Sequence, residues 1–353
     1  MMASKLARDM VLRRGGLVAS ALVESWLPSP PAAELSGGQL EEIATLLLLS
    51  GSAGLAWRRI RETALRDSGA AYPLQQAYRL FALQSALHER NIGQVMPLLR
   101  SRGIEPVMVK GWAVASLYPD PWARPYGDLD LCVRPEQYDL AKEILRSPEN
   151  LQFVVDLHRG FDNLDDRAFD DLFARSERIE AGGVEVRVPA LEDHLRILCA
   201  HLMRHGAVRP LWLCDVAVVL DSLTDGFDWE LCLGTGRVAD MAACAIGLAH
   251  NLVGARVEHT PVRERAASLP GWMVPSVLRQ WEAPFTLRRP MLSYLSDPVG
   301  ALKELRHHWP NAIEATVDMQ ASFNELPRLP FQLGNCITRT AKLLAQLPGR
   351  LRD

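Results

Sequence analysis

Asp128 and Asp130 stand one residue apart in the apolar run 127-GDLDLCV-133. Side chains of a strand alternate between faces, so the two carboxylates project together while Leu129 and Leu131 project the other way. Like charges that close repel unless something positive lies between them. Hard oxygen ligands arranged this way suit Mg2+, or Mn2+ in its place, a cation that keeps several waters and completes its shell with phosphate oxygens. A third carboxylate from a neighbouring strand would let two ions be held, one beside an attacking oxygen and one beside a leaving group. Asp156, in 151-LQFVVDLH-158, is the candidate, and His158 follows it on the same strand face, either as a substrate contact and base near the acceptor or as a histidine satisfied at a strand end. An isolated D-x-D is most often a solvated strand end. Here Gly127 precedes the pair, and Lys110 and Gly111 end the strand before it. A glycine at such a turn lets backbone N–H groups approach a phosphate, and an adjacent lysine can neutralise it.

These residues need a small sheet to hold them. Residues 39–68 and 72–102 carry apolar positions at helical spacing, and Gly103 suits the C-cap of the second helix. The period then changes. The segments 104-IEPVMVKG-111, 128-DLDLCV-133, 151-LQFVVDLHRGF-161 and 183-GVEVRVP-189 read as four strands, with a helix over about 136–146 and Pro189 as a stop. From Leu191 the helical pattern returns almost to the end, and there is no internal repeat. The expected class is α+β: an N-terminal helical region over 1–95, a small mixed-sheet core over 96–190, and a C-terminal helical region over 191–353.

The ordered set in 107-VMVKGWAVASLYPDPWARPYGDLDLCV-133 resembles the nucleotidyltransferase superfamily of the DNA polymerase β type. More narrowly, it is similar to a poorly characterised bacterial nucleotidyltransferase family with a K-G, Y-P, R-x-x-G-D-[IL]-D-L pattern. The likeness continues through VVDLHRG and 189-PALEDHLRILCAHLMRHGAVRPLWLCDVAVVL-220, and so covers about 75–235. It implies Asp128, Asp130 and Asp156 as metal ligands and catalytic carboxylates, and Gly111 in the phosphate loop. Many superfamily members carry G-S or G-G where this chain has Lys110-Gly111, so the serine that contacts a phosphate is absent and Lys110 is expected in that role. The implied reaction is metal-dependent transfer of a nucleoside monophosphate from an NTP to an acceptor with release of pyrophosphate. ATP is the expected donor, and a small molecule or peptide the expected acceptor. The alternatives are a toxin-type enzyme acting on RNA or protein, and a non-catalytic nucleotide-binding domain.

Other residues carry two readings each. Arg124, four residues before Asp128, matches the family arginine and could bind a triphosphate bidentately, or pair with the acidic strand end. Trp112 and Tyr126 could border a base, though a tryptophan opening a helix is more often core. His194, His201 and His205, spaced by seven and four, share one helical face, where a polar stripe lining the cleft is expected over a zinc site. Asp215, an acid inside an apolar helix, requires a partner such as Arg204, Arg209 or His201. The segment 234-GTGR-237 lacks a preceding strand and reads as a turn. His307 and His308 and the amphipathic basic tail 339–353 could touch a partner or an anionic surface, with a solvated terminal helix the expected reading.

Composition narrows the class without choosing it. The chain has 353 residues, 48% of them hydrophobic, and a net charge of −3, which excludes fibrous and disordered classes and gives no global attraction to polyanions. A nucleic-acid contact would need a local patch. Six cysteines are scattered without a C-x-x-C pair, as expected for reduced thiols in a cytoplasmic protein. Basic residues at the N-terminus precede a short apolar stretch that Glu24 interrupts, against a targeting segment, and no apolar run reaches the roughly 20 residues that span a bilayer.

Overall fold

The computed structural model describes residues 12–161, 164, 166–285 and 309–350, the side chains of 343–350 excepted. The first eleven residues of the N-terminal stretch, His307, His308 and the side chains at the end of the basic tail lie outside the described residues. The chain opens with α1 (Arg13–Leu22), α2 (Gly37–Leu49), α3 (Ala53–Ile60) and α4 (Ala71–Arg100). The pattern expected as one helix over 39–68 is split. Ser36 and Gln39 form a reciprocal capping box that starts α2, and Gly51, at φ +78°, turns the chain before α3.

Helix α4 follows its sequence pattern closely and serves two cores. Ala71 and Leu74 face the helical core, whereas Ile92, Val95, Met96 and Leu99 face the sheet. At 1.5 Å per residue its 30 residues span about 45 Å, enough to reach both. The helix runs unbroken through residue 95, where sequence suggested a boundary.

The sheet contains β1 (Val107–Met108), β2 (Leu129–Val133), β3 (Val155–Arg159), β4 (Glu177–Ala181) and β5 (Val184–Val188), in the order β3-β2-β1-β5-β4. It is mixed: β1 is antiparallel to β2 and parallel to β5, while β2 and β3 are parallel and β4 and β5 antiparallel. The chain reaches α5 (Gly111–Ala115) directly after β1, α6 (Tyr138–Arg146) joins β2 to β3, and α7 (Phe169–Arg175) precedes β4. Strand β4 was not expected. Its sequence Glu-Arg-Ile-Glu-Ala is polar because it is an edge, with only Ala181 buried, and charge on an edge discourages pairing with other chains. The readable signal was the Gly182-Gly183 pair, a two-residue hairpin loop with both φ positive, at +57° and +76°.

After the sheet come α8 (Leu191–Arg204), α9 (Leu211–Asp221), α10 (Trp229–Leu233), α11 (Gly236–Val253), α12 (Arg263–Ala267), α13 (Met273–Trp281), α14 (Ala312–Asp318) and α15 (Leu329–Arg350). Of the segment expected as a turn, Gly234 and Thr235 turn the chain, while Gly236 and Arg237 already belong to α11. Leu22, Leu40, Leu47 and Leu55 from the front of the chain share one apolar cluster with Leu195, Leu213, Val216 and Ile246 from the back. A fully buried leucine contributes ~1.5–3 kcal/mol over an exposed one. The two helical ends therefore form a common seam against which the sheet is set. Among the described residues, no helix is long and apolar enough to cross a membrane.

Candidate active site

The parallel register of β2 and β3 places Asp130 opposite Asp156 and Cys132 opposite His158. Strand alternation then puts Asp130, Asp156 and His158 on one face. Ligand atoms of the three lie within 4.8 Å of one another. His158 Nε2 stands 3.2 Å from Asp130 Oδ1 and 3.3 Å from Asp156 Oδ2, so it bridges the two carboxylates. Asp128 sits just before β2 begins and lines the same cleft. His158 was expected as a substrate contact; the geometry also makes it a possible ligand.

Lys110, two residues past β1 and capping α5, has φ +48°, in a region that non-glycine residues seldom occupy. A backbone held there costs on the order of 1–3 kcal/mol and persists at positions the surrounding structure over-determines. The turn delivers Lys110 Nζ to 2.8 Å from Asp130 Oδ1. Gly111 follows, and a Cβ there would come within 3.3 Å of Asp130 Oδ2 and 3.5 Å of the Asp128 carbonyl oxygen. Gly127, by contrast, has nothing within 4 Å of a Cβ position and opens on the cleft.

Charge in this cluster is unbalanced. Burial by itself would push the Asp130 carboxyl up, but the hydrogen bond with His158 and the Lys110 ammonium hold it below its ordinary value. The Asp128 carboxyl is raised, by burial first and then by the charges of Asp130 and Asp156. Three carboxylates thus gather around Lys110 and the bridging His158, and the repulsion between Asp128 and the other two is what a divalent cation would remove. The donor set, carboxylate oxygens with one imidazole, fits such an ion.

Across the cleft, Arg124 is committed elsewhere. Its Nε and Nη2 donate to the two oxygens of Asp215 at 3.0 and 2.6 Å, and Nη1 donates to the Pro125 carbonyl at 3.2 Å. The Tyr118 hydroxyl donates to Asp215 Oδ1 at 2.9 Å. Asp215 is therefore paired with Arg124 and Tyr118, and not with Arg204, Arg209 or His201. The pairing joins α9 to the loop before β2, across 91 residues of sequence, which helical spacing could not indicate. Although burial disfavours the charge, Asp215 raises the Arg124 guanidinium above its ordinary value.

The histidine face of α8 divides. His201 and His205 line the cleft with ring centroids 4.5 Å apart, and Trp212 lies 4.6 Å from His201. Burial, the neighbouring His205 and Lys110 push His201 down to about 3. His194 does not reach the cleft lining; it is buried beside the Arg124–Asp215 pair, and burial pushes it down to about 4. No group of three His, Cys, Asp or Glu other than Asp130, Asp156 and His158 comes close enough to hold an ion among the described residues. Trp112 is buried in the sheet core, and Tyr126 lines the cleft with its ring 4.7 Å from that of His88. Sequence reasoning did not place Trp212, Phe285 or Glu314 at the site, although all three line it.

The whole cleft measures about 890 Å³, near the upper end of the roughly 300–1,000 Å³ of small-molecule sites. One wall is acidic and strand-borne, and the other is helical, aromatic and basic. A family model described as an uncharacterised nucleotidyltransferase matches residues 38–254, which include every residue of the carboxylate cluster. The chain belongs to this nucleotidyltransferase family. The match begins at α2 and ends at the end of α11, so it takes in the sheet and the part of the helical seam built from α2, α3, α8, α9 and α11. Nucleotidyltransferases act on nucleoside triphosphates, and the carboxylate and histidine cluster can hold the divalent metal they generally use. No curated protein and no solved structure matches the chain.

Proposed function

We propose that this nucleotidyltransferase transfers AMP from ATP to a small-molecule or peptide acceptor and releases pyrophosphate. The observation that carries the reading is the β2–β3 register, which gathers Asp130, Asp156 and His158 beside Asp128 with negative charge in excess. Asp128, Asp130 and Asp156 would hold Mg2+ or Mn2+, with His158 as a further ligand or as the group that orients Asp130 and Asp156. When bound, such ions neutralise charge developing on the α-phosphate and its leaving group. An acceptor hydroxyl or amine attacks the α-phosphorus, the bond to the bridging oxygen breaks, and pyrophosphate leaves with its electrons. Asp156, whose side chain is 53% exposed against 11% for Asp130, takes the acceptor's proton. Lys110 fixes the orientation of Asp130. The bounded volume of about 890 Å³ and the aromatic far wall favour a small acceptor or a peptide side chain over a polynucleotide.

The test is incubation of the protein with each α-labelled NTP, Mg2+ or Mn2+ and a cell extract, with mass spectrometry of whatever gains a nucleotide. A labelled product that is absent for Asp130→Asn supports the reading. Absence of both transfer and NTP binding in the wild-type protein sinks it.

A further inference from the structure

Two cations expected to meet phosphate, Lys110 and Arg124, are spent on Asp130 and Asp215. A polyanionic donor therefore needs another positive group in the cleft. Arg209 lines it, in the turn between α8 and α9. Its Nε donates to the Ser50 carbonyl at 3.1 Å, and no described residue forms an ion pair with it or a hydrogen bond with either Nη. The guanidinium lies 5.2 Å from the Phe285 ring centroid and 5.6 Å from that of Trp212, so aromatic faces hold its plane while its fork stays available. Burial and the nearby Arg124 lower the Arg209 guanidinium below its ordinary value, outweighing the charge of Asp215.

The position is built. The turn passes through Gly206 at φ +66° and Ala207 at φ +55°, a left-handed pair that a non-glycine residue rarely joins. Three side chains pin it: Gln280 and Asn311 donate to the Gly206 carbonyl at 2.8 and 3.1 Å, and Trp281 donates to that of Ala207 at 3.1 Å. On the other side, Gly51 lacks the Cβ that would stand 2.5 Å from Arg209 Nη2. A fork held on three sides and unpaired on the fourth suits bidentate recognition of phosphate oxygens.

We infer that Arg209 is the donor-phosphate clamp, binding the β- and γ-phosphates of the NTP from the helical wall while the carboxylate wall holds the α-phosphate end. The inference rests on the nucleotidyl-transfer reading above, and its test separates the two. Calorimetry with Mg2+ compares wild-type protein, Arg209→Gln and Arg209→Lys against inorganic tripolyphosphate and against each NTP with its di- and monophosphate. Loss of a charged bidentate contact should weaken tripolyphosphate and NTP by roughly ten- to a hundred-fold in Arg209→Gln. The monophosphate should change less than about twofold, because it lacks the phosphates that the fork grips. Arg209→Lys, which keeps charge and cannot span two oxygens, should fall between. Unchanged tripolyphosphate and NTP affinity in Arg209→Gln overturns the clamp, even if transfer falls, since Arg209 would then serve the acceptor. A wild-type protein that binds neither nucleotide nor tripolyphosphate overturns the nucleotidyl-transfer reading, and the clamp with it.

Discussion

Two cation–carboxylate pairs border the same cleft, and they differ in what surrounds them. Arg124–Asp215, at 2.6 Å, is closed: both oxygens of the acid are used, Tyr118 adds a third donor, and both side chains are almost fully buried. Lys110–Asp130, at 2.8 Å, is open: the like charges of Asp128 and Asp156 stand beside Asp130, and the Asp156 carboxylate is half exposed. Balanced charge withdrawn from water holds parts of a fold together, and breaking such a pair costs more than the pair contributes. Unbalanced charge facing a cavity is kept for a ligand. By that criterion the first pair is scaffold and the second belongs to the site.

The largest expected effect tests the open pair. Asp130→Asn and Asp128→Asn should lower nucleotidyl transfer by about a thousandfold or more. Circular dichroism should show both still folded, and Asp128→Asn should melt no lower than the wild type, because it removes a like charge. An active Asp130→Asn protein would erase the distinction between the pairs.

The closed pair should fail in the opposite way. Asp215→Ala leaves the Arg124 charge and the Tyr118 hydroxyl buried without their partner, which should cost about 3–5 kcal/mol in urea denaturation. A wild-type unfolding midpoint for this variant would move Arg124 and Asp215 from scaffold to site.

Acid should sharpen the contrast next. His194, beside the closed pair, is pushed down to about 4 by burial, and His201 in the cleft to about 3. Both stay neutral in the fold at pH values where the unfolded chain, titrating near 6.5, already binds a proton. Stability is therefore full above about pH 6.5 and falls as pH drops toward the folded values. His194 alone should account for a loss on the order of 3 kcal/mol by pH 4. His194→Leu should flatten the pH dependence of the urea midpoint, and an unchanged slope would refute the assignment.

The smallest effect belongs to a pair in solvent. Arg178 and Glu185 meet at 2.9 Å with side chains 55% and 57% exposed, and Arg178→Ala should cost less than about 1 kcal/mol by the same denaturation assay. A larger loss would show that burial is not what separates these pairs.

Much of the site could be read before folding because strand alternation is local. The i, i+2 spacing of Asp128 and Asp130, and of Asp156 and His158, needs only an extended backbone to put each pair on one side. The lysine and glycine at 110 and 111 were legible for the same reason. The partner of Asp215 was not, since Arg124 lies 91 residues away and nothing in either helix pattern specifies which cation will meet it. Strand β4 escaped because an edge strand needs no apolar alternation, and the split between α2 and α3 escaped because the apolar pattern continues across Gly51.

What the sequence determined by itself was the acidic half of the cleft, since alternation and the glycine turn act over a few bonds. The basic half was decided only by tertiary structure. Whether Arg124 or Arg209 keeps a free fork depends on whether a carboxylate meets it, and that follows from how α9 docks on the loop before β2 and the turn before α9 on the end of α2. Electrostatic pairing acts through space at a few ångströms, and the chain order carries no record of it.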